Sequence, residues 1–352
     1  MGIFDFFKKK KVENVSSRQI QNSDKETVSI TSTDSNAPSL SKEERYGRAS
    51  LVGYKTQNWS SVLVEFQKLE NEGFGEASIA LGQFAQINDR TRALEHFKKA
   101  AAAGIAEGAW GCAAIIGHGY IADITGKDKL WYQYCLNSAQ GGCCDAMNEL
   151  GNMYNRKGDF LAAYYWYQMA AYYEHPQGYA SVAGTINKWA QSGKPALSSS
   201  IDGVRPNDVK NAISIFRCLT QQDKLDQQRM DQFMHAAMDD DNEIMGLFIG
   251  HFFEDTVKMD GNAKMGYQLA AHNNSIMGMK CLADMLAAGR GCERNMQNAF
   301  GWYQGAAGAC EKTACFVMGE FTRQQNRNLA AYWYSVAFRR GYEPALTRLQ
   351  QM

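Results

Sequence analysis

An aromatic side chain returns along this chain at Phe66, Phe97, Tyr167, Phe216, Tyr267, Tyr303 and Tyr334, with Cys135 filling one further place in the series. Alanine stands four residues ahead of it in six of these eight units, at Ala93, Ala163, Ala212, Ala263, Ala299 and Ala330. Three residues behind it come Ala100, Ala170, Ala270, Ala306 and Ala337, with Ser138 and Leu219 as substitutes. Offsets of four and three share one helix face, so each unit presents a small–large–small stripe. Small residues let a neighbouring helix approach while the ring fills the space beside them.

The ends of this helix are marked as well. Eight residues before the aromatic stand Asn58, Asp89, Asp159, Asp208, Asn295 and Asn326, whose short side chains can accept from first-turn amides as N-caps. Seven residues after it stand Gly73, Gly104, Gly142 and Gly341, suited to the left-handed conformation that ends a helix. A partner helix follows each stop. It carries an apolar–small pair at Leu81-Gly82, Cys112-Ala113, Leu150-Gly151, Val182-Ala183, Leu282-Ala283 and Met318-Gly319. Glycine inside a helix costs up to about 1 kcal/mol, so its return at this place implies a close helix crossing.

The aromatics are spaced 31, 38, 32, 49, 51, 36 and 31 residues apart, the period of stacked helix pairs apart from two long units. The expected fold is all-α: a right-handed α-α solenoid, or superhelix, of about seven to eight helix-turn-helix repeats. It occupies 43–352, with an inserted loop at about 191–207 and an extra helix at about 224–238. Ala345 and Leu349 place a lone first helix in the terminal capping position. Residues 1–42 are a separate leader. Ser16 to Ser41 is polar and without an aromatic residue, a composition that stays disordered.

Charge narrows the function. Thirty-seven basic and 37 acidic side chains leave the 352-residue chain formally neutral, which argues against a broad field drawing it onto nucleic acid. No apolar run is long enough to span a bilayer, and the start lacks the features of a secretory signal. The nine cysteines are therefore expected as reduced thiols in a cytoplasmic compartment. Ile3, Phe4, Phe6 and Phe7 beside Lys8 to Lys11 give residues 3–11 the make-up for a weak membrane contact. Phe6 stands where a myristoylation signal wants Ser or Thr.

The repeat units resemble the Sel1-like repeat (SLR) family, a relative of the tetratricopeptide repeats. The best-matching stretch runs from Gly278 to Ala307, through Leu282-Ala283, Gly289-Arg290-Gly291, Asn295, Ala299, Trp302-Tyr303 and Ala306-Ala307. Leu150-Gly151 through Tyr154 to Trp166-Tyr167 and Ala170-Ala171 is nearly as similar. The resemblance covers roughly residues 45–352 and departs from the pattern at 175–250 and at Cys135. Some family members are exported and carry one disulfide per repeat. The cysteines here fall at differing repeat positions, so that feature does not carry over.

Catalytic and metal-binding motifs are absent from the sequence, and no catalytic residue, cofactor or metal is expected. His96, His118, His175, His235, His251 and His272 form no short-spaced ligand set. Gly193-Lys194 lacks the glycine spacing of a phosphate loop. Asp239 to Glu243 lacks the glycine and the closing Glu of a calcium loop.

What remains is the concave face, lined by the first helix of each pair. The residues six, ten and thirteen past each stop share a face off the packing stripe. They are Trp110; Asn148, Asn152 and Asn155; Lys280 and Asp284; Glu320 and Arg323, joined by His251 and Glu254 when Ile249-Gly250 is taken as the apolar–small pair. Related tetratricopeptide grooves hold peptides on this face, and the resemblance implies the same here. The expected function is a protein–protein interaction scaffold, or adaptor, that binds a partner peptide or helix. A membrane-peripheral or secreted effector-like adaptor is the alternative, and an enzyme stands behind both.

Overall fold

The computed structural model describes residues 40–121, 125–193, 197–238, 243–309 and 311–352. Residues 1–39 of the leader, with its residues 3–11, part of the inserted loop and Asp239 to Asp241 fall outside them, while Ser41 caps α1 and Lys42 begins it.

Among the described residues there are eighteen α-helices, one π-helical turn and no strand. Four pairs come first: α1 (Lys42–Thr56) with α2 (Ser60–Asn71), α3 (Gly75–Ala85) with α4 (Arg90–Ala102), α5 (Ala106–Gly117) with α6 (Lys127–Gln140), and α7 (Cys144–Lys157) with α8 (Phe160–Tyr172). The fifth pair is α9 (Gly178–Gln191) with α10 (Pro206–Leu219), and α11 (Gln227–Met238) follows without a partner of its own. The sixth joins α12 (Glu243–His251) and a π turn (Phe252–Val257) to α13 (Asp260–His272). Then come α14 (Ile276–Ala288) with α15 (Met296–Gly308), α16 (Lys312–Thr322) with α17 (Arg327–Arg339), and a last single helix α18 (Pro344–Gln351).

The stripe is the core of this stack. All eight stripe residues, Cys135 included, are buried, and the alanines that frame them are fully enclosed. In four units the partner helix receives the ring on the glycine of its apolar–small pair. A methyl group added to Gly82 would meet the Phe97 ring at 2.6 Å, and Gly151 and Gly319 lie equally close to Tyr167 and Tyr334. With no Cβ in the way, the ring lies against the helix backbone, which explains why this glycine returns despite its low helix propensity.

Caps follow the sequence closely, with two corrections. Asp89, Asp159, Asn295 and Asn326 each accept from a backbone amide of the first turn. Asn58 does not cap α2: Trp59 takes the cap position, and Asn58 accepts from the Ser60 amide instead. Asp208 lies inside α10, because Pro206 starts the helix three residues after Gly203 turns the chain. Its buried carboxylate accepts from Arg205 at 2.7 Å and the Ile244 amide at 3.4 Å. Burial pushes its pKa up to about 6, against the pull of Arg205.

Gly73, Gly104, Gly142 and Gly341 all take positive φ. The same turn position in two other units is held left-handed by Glu174 and Asn274, both at φ 60, a conformation that costs a side-chain-bearing residue roughly 1–2 kcal/mol.

The stack also returns on itself, which the repeat pattern alone does not announce. The first helix, α1, packs against α17 of the last pair. At Gly47 the two backbones touch: an added methyl would fall onto the Asn328 carbonyl and lie 2.6 Å from the Tyr332 amide. Tyr46 stacks on Phe66 at 4.5 Å and meets Tyr332 edge-on, and Tyr54 meets Phe338. Asn326 donates to Glu44 across 282 residues of sequence. The Arg339 guanidinium is buried at this closure. It donates to the Tyr46 hydroxyl at 2.9 Å and pairs with the Glu76 carboxylate. Arg340 and Glu107 approach to 3.2 Å beside them. One apolar core therefore runs from Tyr46 and Leu81 to Phe338 and Leu349. The terminal helix α18 does bury Ala345 and Leu349 in the capping place, yet α17 serves α1 as well.

Candidate interaction surface

The expected groove residues fall into two groups once their partners are known. In four repeats the stripe residue is a tyrosine, and its hydroxyl reaches back to the first helix. Tyr167 donates to Asn152 at 2.7 Å, Tyr303 to Asp284 at 2.5 Å, Tyr334 to Glu320 at 2.7 Å, and Tyr267 to Glu254 with His251 at 3.2 Å. Asn152, His251, Asp284 and Glu320 each directly follow the apolar–small pair. Where the stripe lacks a hydroxyl the same place changes character: Ala114 goes with Cys135, Gly184 with Phe216, and Gln83, in the unit of Phe97, donates to Glu107 instead. These polar residues thus hold each pair together from within. A buried hydroxyl needs a partner, and this row supplies it.

His251, Glu254, Lys280 and Asp284 are brought together, and with Tyr172, Glu174 and Arg290 they line a cleft of about 340 Å³. Its cations are already paired. Arg290 pairs with Glu254 at 2.6 Å, and Lys280 lies between Glu174 at 3.0 Å and Asp284 at 3.1 Å. Lys312 also pairs with Glu174. Glu174 thereby ties the turn after α8 to α14 and α16, and these ion pairs offset its left-handed backbone. Burial would raise the Glu254 and Glu174 carboxyls, but Tyr267 with Arg290, and Lys280 with Lys312, hold both below the ordinary value.

His251 stacks flat on Tyr172 at 4.9 Å. Its imidazole is pulled below the usual range by burial, with Asp255 and Glu254 opposing. The unfolded chain therefore binds more protons than the native state as pH falls below about 6.5. This contribution to stability is complete above that pH and is lost as pH falls toward the lower, native value. His251→Gln is expected to abolish that part of the decline, measured as the melting temperature at about pH 7.5 and about pH 5.5. An unchanged decline assigns it to other groups. Tyr303→Phe is expected to cost about 1.5 kcal/mol in urea unfolding, the low end for a bond to a charged group, because Lys280 still serves Asp284.

The other expected residues do not join this cleft. Asn155 is 3.5 Å from the Tyr167 hydroxyl and accepts from Lys188 at 3.4 Å. Arg323, 4.0 Å from Glu320, lines a small cleft with Arg327 and Arg348. Asn148 is buried with its amide oxygen unpartnered among the described residues.

Trp110 stands apart. It walls a cleft of about 670 Å³ between α5, the start of α6 and the end of α7, lined further by Trp131, Tyr132, Met153, Lys127 and Arg156. Trp110 and Ala114 are shared with a second cleft of about 490 Å³. That second cleft collects the turns of several pairs, from Glu107 and Cys143 to Met277, Lys312 and Arg340, near the point of closure. Trp131, Tyr132 and Met153 were not expected from the groove positions. Their signal lies in the stripe: this unit has Cys135 where the ring belongs and Trp131 where the alanine belongs. The bulk has moved one turn toward the helix start, where it abuts Gly117 instead of filling the core.

Nucleophile chemistry finds little support here. Burial pushes the neighbouring Cys143 and Cys144 thiols up to about 11 and about 12, so neither is a thiolate at neutral pH. Among the described residues no group of three His, Cys, Asp or Glu side chains could hold a metal ion. No helix of the described residues is long and apolar enough to cross a membrane.

No family model and no curated protein matches the chain. Among the solved structures that are similar are two repeat proteins. One is a protective antigen of uropathogenic Escherichia coli strains that displays an SLR fold, 17% identical, with 87% of this chain and 73% of that one covered and a TM-score of 0.36. The other is a Sel1 repeat protein from Oxalobacter formigenes, 15% identical, with 83% and 96% covered and a TM-score of 0.32.

Proposed function

We propose that this chain is a cytoplasmic protein-interaction scaffold that takes a segment of a partner protein against α5, α6 and α7. The observation that carries this reading is the contrast between two stretches of the groove. From α12 to α16 its polar side chains are bonded to one another or to stripe tyrosines. Around Trp110 two indoles, a phenol ring and a thioether stand half-buried around a cleft open to solvent. Half-exposed aromatics beside polar groups are the composition of binding hot spots. The reading as a scaffold rather than an enzyme is supported by the high thiol pKa values and by polar residues spent on packing. A membrane-peripheral or secreted adaptor would rest on residues 3–11, outside the described part of the chain.

A photo-reactive residue placed at Asp128 on the cleft rim is expected to cross-link a discrete partner in cells. The same group at Glu95, exposed on α4, is expected not to. Adducts of the same pattern from both positions, or none from Asp128, contradict the proposal.

A further inference from the structure

We infer that the Trp110 cleft selects a segment in which one bulky apolar or aromatic side chain is flanked by carboxylates. This deepens the scaffold reading and rests on it. The floor and walls suit the anchor: Trp110, Trp131, Tyr132 and Met153 offer ring faces and a polarisable thioether to a flat apolar group. Trp110 and Ala114 also wall the central cleft, so a segment leaving the anchor has a second concave surface next to it.

The rim decides the charge. Lys127 and Arg156 line the cleft, and neither forms an ion pair among the described residues. Lys157, also at the rim, sits over the Tyr154 ring at 5.8 Å. The two acids are placed otherwise. Glu149 accepts from the Asn152 amide at 3.1 Å, and Asp128 lies in the first turn of α6, where the helix dipole favours it. Lys127, Arg156 and Lys157 still outnumber Asp128 and Glu149 by one charge, which leaves the mouth positive, whereas acids outnumber cations in the cleft around Lys280 and Arg290. Such a rim steers carboxylates and repels cations.

The chain's own Phe-rich start is thereby disfavoured as occupant, because Lys8 to Lys11 directly follow Phe6-Phe7 and would face Lys127 and Arg156. A nucleic-acid strand is disfavoured because the chain has no net positive charge with which to hold a run of phosphates beyond this rim.

The test is calorimetric titration of the full chain with short synthetic peptides bearing one central phenylalanine flanked by aspartates, serines or lysines. The aspartate peptide is expected to bind about tenfold tighter than the lysine peptide, with the difference shrinking as salt is raised. Lys127→Glu/Arg156→Glu, a change confined to partly or fully exposed side chains, is expected to reverse the order. Trp131→Ala is expected to weaken all three peptides, with circular dichroism confirming that the helices persist. Equal affinities for the three peptides overturn the inference. So does displacement of the aspartate peptide by an oligothymidine strand, or tighter binding of a peptide copying residues 1–11. If no peptide binds while Asp128 still cross-links a partner, this selectivity is wrong and the scaffold reading survives. Loss of both removes the two together.

Discussion

Arg339→Ala is expected to destabilise the chain by about 3–5 kcal/mol, the range for removing one partner of a buried ion pair. The guanidinium is fully enclosed between Tyr46, Glu76 and Glu107, which come from α1, α3 and α5, while Arg339 itself ends α17. Burial already disfavours its charge, and burial raises the Glu107 carboxyl next to it. Without the cation, the Glu76 and Glu107 carboxylates remain in the core and share Arg340. Adding Glu76→Gln is therefore expected to recover part of the loss, since it removes the charge left behind. Urea unfolding followed by circular dichroism measures both variants, and hydrogen exchange locates the change. Amides of α1 are expected to lose protection first. If Arg339→Ala costs under about 1 kcal/mol, in the range of an exposed pair, the closure is not held in this way.

Gly47→Ala tests the same contact through sterics alone. The added methyl has no room, because its obstacles are the Asn328 carbonyl and the Tyr332 amide of α17 and not a flexible side chain. Overpacking costs typically about 1–3 kcal/mol, and a backbone obstacle places this substitution at the upper end. Gly184→Ala is the control. Gly184 also lies within a helix, α9, but nothing stands within 4 Å of its missing Cβ. That change is expected to stabilise by up to about 1 kcal/mol through helix propensity. Opposite signs from the two substitutions distinguish a packed crossing from a helix that merely tolerates glycine; equal signs contradict the close approach at α1.

The reach of sequence reasoning follows from the range of the interactions involved. Stripe, caps and stops are encoded within one helix and its turns, so Phe97, Asp89 and Gly104 could each be placed from local spacing. Asn58 and Asp208 escaped because neighbours set the helix start: Trp59 takes the cap in one case and Pro206 fixes the first turn in the other. The closure escaped for a different reason. Gly47 and Arg339 belong to no repeat position, and their partners lie almost the whole chain away. A period detected along the sequence says that pairs stack, but curvature accumulates over all of them before the first meets the last.

Of the expected row, His251, Glu254, Lys280 and Asp284 lie together in one cleft and Trp110 lies in another. That a polar side chain follows the apolar–small pair in units whose stripe ring is tyrosine could also have been read directly, from Asn152 with Tyr167 or Asp284 with Tyr303. Trp131 was legible as a misplaced stripe residue. Glu174 was not, since a left-handed glutamate leaves no mark in sequence where the other turns are marked by glycine.

Pulsed electron resonance between spin labels at Glu43, at the start of α1, and Arg327, at the start of α17, tests most directly whether the stack closes on itself. A short, narrow distance distribution is expected, because the neighbouring Glu44 and Asn326 are hydrogen-bonded. A long or broad distribution in the natively folded chain would show an open array, and the closure built on Tyr46, Gly47 and Arg339 would then be wrong.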